Sequence, residues 1–185
     1  MERRNTKSRV VISSSQRAVR VDRPRLARLV RFVAKAEGHR LAQIDLAVVG
    51  GGEITSLNRR WLRHGRQTDV LSFDLSGAEA NVKIRKTRDR PHFSRRKVGP
   101  VPSFPGGGLS GQIIVCGDVA AEQARLRGLP AQEELMLYVV HGLLHLMSYE
   151  DLTVRGAAGM HAREEELLRE FLARRRAATK LKAES

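Results

Sequence analysis

The sequence predicts an α/β (α+β) fold: a single domain with one mixed sheet of about four strands packed with about five helices. Three observations carry that expectation. Short apolar runs of period two recur between segments whose apolar residues fall three and four apart. Glycine, proline and aspartate mark the joints between them. A chain of 185 residues, 41% apolar and 29% charged, can bury one core and would be cramped as two domains.

Arg9 to Ser14 (RVVISS) reads as a strand. Asp22-Arg23-Pro24 then opens a helix, with an acidic N-cap and a proline in the first turn. Leu26, Leu29, Val30, Val33 and Ala36 form its apolar stripe, which runs out near Gly38. Ile44, Leu46 and Val48 alternate as a half-buried strand. Gly50-Gly51-Gly52 lacks the spacings of a phosphate loop and reads as a strand-to-helix turn, with a helix from Glu53 to Leu62. Val70 to Phe73 is the next strand. Residues 76–110 are basic, rich in proline and glycine and without period, so a mobile insertion is expected there.

Gln112 to Cys116 is a strand, and Asp118 is expected to cap a helix running to about Arg127. Gly128-Leu129-Pro130 breaks the chain. Ala131 to Met147 is the strongest helix, with Leu135, Val139, Leu143, Leu144 and Met147 on its buried side. A last amphipathic helix is expected from Met160 to about Arg176, with residues 176–185 fraying. The single domain is therefore placed at residues 1–175.

The net charge of +14 is unevenly spread. Residues 1–40 carry +9 and residues 76–110 carry +6, whereas residues 111–151 carry −4. A basic exterior around a locally acidic segment suits a nucleic-acid partner outside and a cation within. Cys116 is the lone cysteine, so no internal disulfide forms and a reducing compartment is expected. No apolar run approaches the roughly 20 residues of a membrane span, and no apolar stretch follows the charges of MERRNTKSRV as a secretory signal would require. A cytoplasmic protein with no membrane association is the expectation.

His141 and His145 lie four apart on the strongest helix, so both imidazoles leave the same face one turn apart. That spacing lets one helix give two ligands to one zinc ion. Asp151 follows six residues after His145, far enough for the chain to turn back and close a three-ligand site. Glu150 is the alternative third ligand. Two histidines, a carboxylate and a water make a hydrolytic zinc arrangement, in which the water's pKa falls from 15.7 to about 7. Gly142 stands where H-E-x-x-H peptidases carry their glutamate base, which counts against a peptidase. His64 and His161 read as surface residues, the latter with a fourth-ligand role as the outside case. Trp61 and Cys116 read as core, and Tyr149 as lining the site or filling space beneath it.

The run HGLLHLMSYED from His141 to Asp151 resembles the H-G-x-L-H-L-x-G-Y-D-H motif of the YbeY family of rRNA-maturation endoribonucleases. The resemblance extends to Leu57-Asn58, to Thr68-Asp69-Val70-Leu71-Ser72-Phe73, to Gly111-Gln112-Ile113-Ile114-Val115, to Glu134-Leu135, and to Met160 with Glu164. It implies a zinc-dependent nuclease for single-stranded RNA, acting in 16S rRNA 3′ end maturation and ribosome quality control. It further implies a three-histidine zinc site opening into a basic cleft, with His141 and His145 in the first two ligand positions, and rRNA and ribosomal subunits as partners; with Asp151 as the third ligand, one Zn²⁺ per chain and no small-molecule cofactor are expected.

Three positions depart from the family pattern. Asp151 replaces a third histidine, and Gln112 replaces an aspartate. Leu62 falls where the family has a cleft arginine, so Arg63, with Arg60 as the weaker choice, would hold the phosphate or catalysis would be weakened. Two rival readings follow: a non-catalytic RNA-binding protein retaining the fold, and a zinc metallopeptidase.

Overall fold

The computed structural model describes residues 8–62, 68–75, 81–84, 96–97, 108–151 and 153–183. Strand β1 (Arg9–Ser14) leads into helix α1 (Arg23–Ala36), strand β2 (Leu41–Val49) and helix α2 (Gly51–Leu62). Strands β3 (Val70–Asp74), β4 (Asn81–Ile84), β5 (Arg96–Lys97) and β6 (Leu109–Cys116) follow. Helices α3 (Gly117–Arg127), α4 (Ala131–Leu146) and α5 (Val154–Ala183) complete the chain.

The sheet runs in the order β1-β2-β6-β3-β4-β5. β1, β2 and β6 run parallel to one another, whereas β3 is antiparallel to β6, β4 to β3 and β5 to β4. The four expected strands are present and the sheet is mixed. It is longer than expected, because β4 and β5 come from the segment whose sequence shows no period. Four residues (NVKI) and two (RK) are too short to stand out as strands; β4 pairs with the edge of β3, and β5 with β4. The last residues of the expected insertion, Leu109 and Ser110, belong to β6, which starts three residues before the expected Gln112; apart from these, Gly108, β4 and β5, the segment lies outside the described residues.

Alternation along the strands divides the core in two. Ile44, Leu46, Val48, Val70, Ile113 and Val115 join α1, α4 and α5 in the main cluster. Leu71, Phe73, Ile114 and Cys116 pack with Ile54 of α2 on the other face. Helix α4 lies inside the main cluster, with Leu135, Met136, Leu143 and Leu144 fully buried. Each such side chain contributes about 2 kcal/mol of hydrophobic stabilisation.

Two glycines let α4 lie close on the sheet. A Cβ on Gly142 would stand 2.7 Å from Ile113 Cγ2, and one on Gly111 would stand 2.6 Å from Leu146 Cδ1. Position 142 therefore faces the sheet, and the absence of a glutamate there has a packing cause.

Helix α2 starts at Gly51, inside the expected glycine turn, and α3 and α5 also depart from expectation at their ends. Asp118 does not cap its own helix: Cys116 occupies that N-cap without a side-chain bond, and the Asp118 carboxylate instead accepts from Gly51 N–H at 2.6 Å, at the start of α2. Helix α5 begins at Val154 rather than Met160 and continues to Ala183, past the expected fraying point. Thr153 starts it, its Oγ1 accepting from Gly156 N–H at 3.0 Å, a cap that the glycines of RGAAGM conceal from an apolar-period reading.

Candidate metal centre

The end of α4 and the turn after it build the site. His141 and His145 are 2% and 3% exposed, so their rings reach the site without facing bulk water. Their centroids are 4.5 Å apart and the planes are nearly perpendicular, at 88°. Beyond the helix, Ser148 takes a left-handed conformation (φ 68°). That residue turns the chain back, and Asp151 joins the two histidines with ligand atoms within 4.8 Å of one another. Glu150 is exposed and stands outside this group, so the alternative third ligand is not the one that converges.

Each imidazole is oriented by a partner at its other nitrogen. His141 Nδ1 hydrogen-bonds Glu164 Oε1 of α5. His145 Nδ1 lies 3.3 Å from the Tyr149 carbonyl oxygen, which can only accept. Protons on both Nδ1 atoms leave the Nε2 lone pairs for a cation, the tautomer in which histidines ligate metals. Two neutral imidazoles and one carboxylate suit a divalent ion, so the residues present fit the group that their spacing implies.

Glu164 is 3% exposed. Burial pushes its carboxyl upward, but hydrogen bonds and charge interactions with His141 and His161 outweigh that, and the net effect holds it below the ordinary glutamate range. His161 Nδ1 approaches the second oxygen at 3.2 Å. His161 is thus one carboxylate removed from the ligand group, and the fourth-ligand case does not apply. Tyr149 also ties the site to α1: its hydroxyl donates to Glu37 Oε2 at 2.6 Å, and Arg163 Nε donates to Glu37 Oε1 at 2.9 Å. The hydrogen bond to Glu37, then burial, raises the Tyr149 phenol above its ordinary value.

A cavity of about 740 Å³ adjoins His141, lined among others by Asp69, Arg127, Tyr138, His161 and Glu164. Burial, with the Glu134 and Asp69 charges nearby, holds the Tyr138 phenol well above its usual range. Arg127 pairs with the buried Glu134 at 3.1 Å.

Comparison with known proteins places this geometry. A family model described as Endoribonuclease YbeY matches residues 11–172. The chain belongs to the YbeY family. An endoribonuclease YbeY of Beutenbergia cavernae is 32% identical over 163 residues, covering 88% of this chain and 97% of that protein. That of Acidothermus cellulolyticus is 34% identical over 166 residues, covering 89% and 93%. The solution structure of TM1509 from Thermotoga maritima shares the fold, with a TM-score of 0.55 and 21% identity over 91% of this chain and 93% of that one.

The departures from the YbeY pattern take physical meaning here. Gln112 lies between Gly111 and Ile113, both turned toward α4, so alternation sends its side chain to the α2 face. The lost carboxylate at 112 is therefore on the opposite side of the sheet from the histidines. Leu62 is the last residue of α2, and Arg60, two residues earlier on that helix, is exposed. Arg63 and His64 lie outside the described residues, as does the side chain of Trp61. Cys116 is buried, as its apolar strand implies. Glu164 was legible only as the last residue of an M-x-x-x-E spacing; its role as the partner of His141 needed the packing of α5 on α4.

Proposed function

We propose that this chain is a metal-dependent endoribonuclease that hydrolyses phosphodiester bonds of single-stranded RNA, with Zn²⁺ as its metal. The observation that carries this reading is the convergence of His141, His145 and Asp151 behind two imidazoles whose Nδ1 atoms are already engaged. Bound there, zinc would polarise a phosphoryl oxygen and supply a water acidic enough to lose its proton near neutral pH. The chain's own part is to hold the ion, to fix the two tautomers through Glu164 and the Tyr149 carbonyl, and to bring the RNA backbone alongside. Arg63 is proposed as the phosphate-holding cation in place of the family's cleft arginine. The 3′ end of 16S rRNA, the ribosomal subunits, a role in ribosome quality control and a cytoplasmic setting are the finer form of the same proposal, and they rest on family membership. The basic segment of residues 76–110 is proposed as a further RNA contact, on the strength of its +6 charge.

Elemental analysis of the purified protein, paired with cleavage of a single-stranded RNA oligonucleotide, tests this. About one zinc per chain is expected, with cleavage abolished by chelation and by His145→Ala. Salt-sensitive RNA binding without cleavage in the zinc-loaded protein would favour the non-catalytic reading. Turnover of casein would favour the peptidase, although at position 142 a peptidase-type glutamate would collide with Ile113.

A further inference from the structure

His161 of α5 is exposed and is not among the residues whose ligand atoms converge. Its Nδ1 nevertheless reaches inward to Glu164 Oε2 at 3.2 Å, while the other oxygen of that carboxylate engages His141 Nδ1. Side-chain exposure falls from 52% at His161 to 3% at Glu164 and 2% at His141. The three residues form one line from solvent to the ligand group. Among the described residues, Glu164 has these two imidazoles as its hydrogen-bonding partners.

We infer that His161 is a positioning residue: by donating from Nδ1 to Glu164 Oε2 it fixes the carboxylate plane, and so fixes the tautomer and direction of His141. A carboxylate buried to this degree needs a donor at each oxygen. With only one, it can rotate about its last bond and present either oxygen, or turn toward the water-accessible cavity that both His161 and Glu164 line. His141 would then share its proton between two nitrogens, and part of the population would offer a protonated Nε2 where an ion needs a lone pair. Outer partners of metal-binding histidines commonly govern affinity by 10–100-fold. The inference rests on the proposed metal centre, but it concerns an arrangement of the chain's own atoms that exists before an ion binds.

The test uses His161→Ala, which removes the donor, and His161→Asn, whose side-chain amide places an N–H close to where Nδ1 stood. Zinc affinity is read by competition with a chromophoric chelator. The His141 tautomer is read in metal-free full-length protein by long-range ¹⁵N–¹H correlation. The expected result is a wild-type His141 protonated on Nδ1. His161→Ala should show a tautomer mixture and roughly ten-fold weaker zinc binding, and His161→Asn should return both close to wild type. A general loss of packing would lower the melting temperature of both variants alike and would not spare the asparagine. An unchanged His141 tautomer with unchanged zinc affinity in His161→Ala overturns the inference, as does an asparagine variant no better than alanine. Failure of the wild-type protein to bind zinc would sink the functional reading, while the metal-free spectra would still decide the role of His161.

Discussion

Ser148 bears a local cost that its neighbours explain. It is the one described residue other than glycine with positive φ, and it sits where α4 must end for Asp151 to return to the histidines. A β-carbon in that region costs about 1 kcal/mol or more, which glycine avoids at some expense in unfolded-state entropy. Ser148→Gly should therefore raise stability by about 0.5 kcal/mol. Urea denaturation reads this as a higher midpoint at unchanged slope, and a lower midpoint would mean that the serine side chain earns its place. Residues of this kind divide by what the sequence can reveal. His141 and His145 were visible because helical spacing alone puts them on one face, and Asp151 because the intervening length allows a return. Glu164 was not visible as a partner: it meets His141 across 23 positions, through a helix contact that no local pattern encodes. The opposite facing of Gln112 likewise became clear only when Gly111 and Ile113 were seen against α4.

At the scale of elements, the start of α2 is held by a residue that belongs to α3. Asp118 accepts from Gly51 N–H at the place where a helix has unsatisfied donors and a positive dipole end. Asp118→Ala should cost about 1 kcal/mol, a fall of about 3 °C in melting temperature for a chain of this size. Asp118→Asn, which keeps an acceptor oxygen, should lose less. Equal melting of alanine and wild type would show that water replaces the carboxylate without penalty. The helices and the central strands were legible because their apolar periods are strong, α4 above all. The caps were less so, since Asp118 carries the N-cap signature of one helix and serves another, and Thr153 hides behind a glycine-rich first turn. Strands β4 and β5 were illegible because they are four and two residues long and are added in turn to the edge that β3 offers, β4 on β3 and β5 on β4.

For the whole molecule, charge determines how a polyanion is met. The outward face of α1 carries Arg28, Arg31 and Lys35, all exposed. Arg31 and Lys35 line, with His39, a hollow of about 230 Å³. No acidic side chain shares that face of the helix, and among the described residues none of the three is ion-paired. If the RNA reading holds, Arg28→Gln, Arg31→Gln and Lys35→Gln together should reduce the salt slope of single-stranded RNA binding by about 2, at roughly 0.7 per phosphate contact. The rate of cleavage at saturating RNA should stay unchanged. An unaltered slope would take α1 off the path of the strand. Glu37, at the end of that same helix, accepts from the Tyr149 hydroxyl, and the Tyr149 carbonyl meets His145 Nδ1, so two hydrogen bonds join the basic helix to the ligand group. The ligand group has one further property, which concerns the order of assembly. Its three ligands and Glu164 close over 23 positions of chain, whereas the sheet requires Leu41 to find Leu109. Shorter loops lose less entropy on closing, and contacts near in sequence form sooner. Gathering the histidines is thus a local event and registering the strands a distant one. An ion met during folding would act as a template for the α4–α5 hairpin, already in place when the sheet comes to close beneath it.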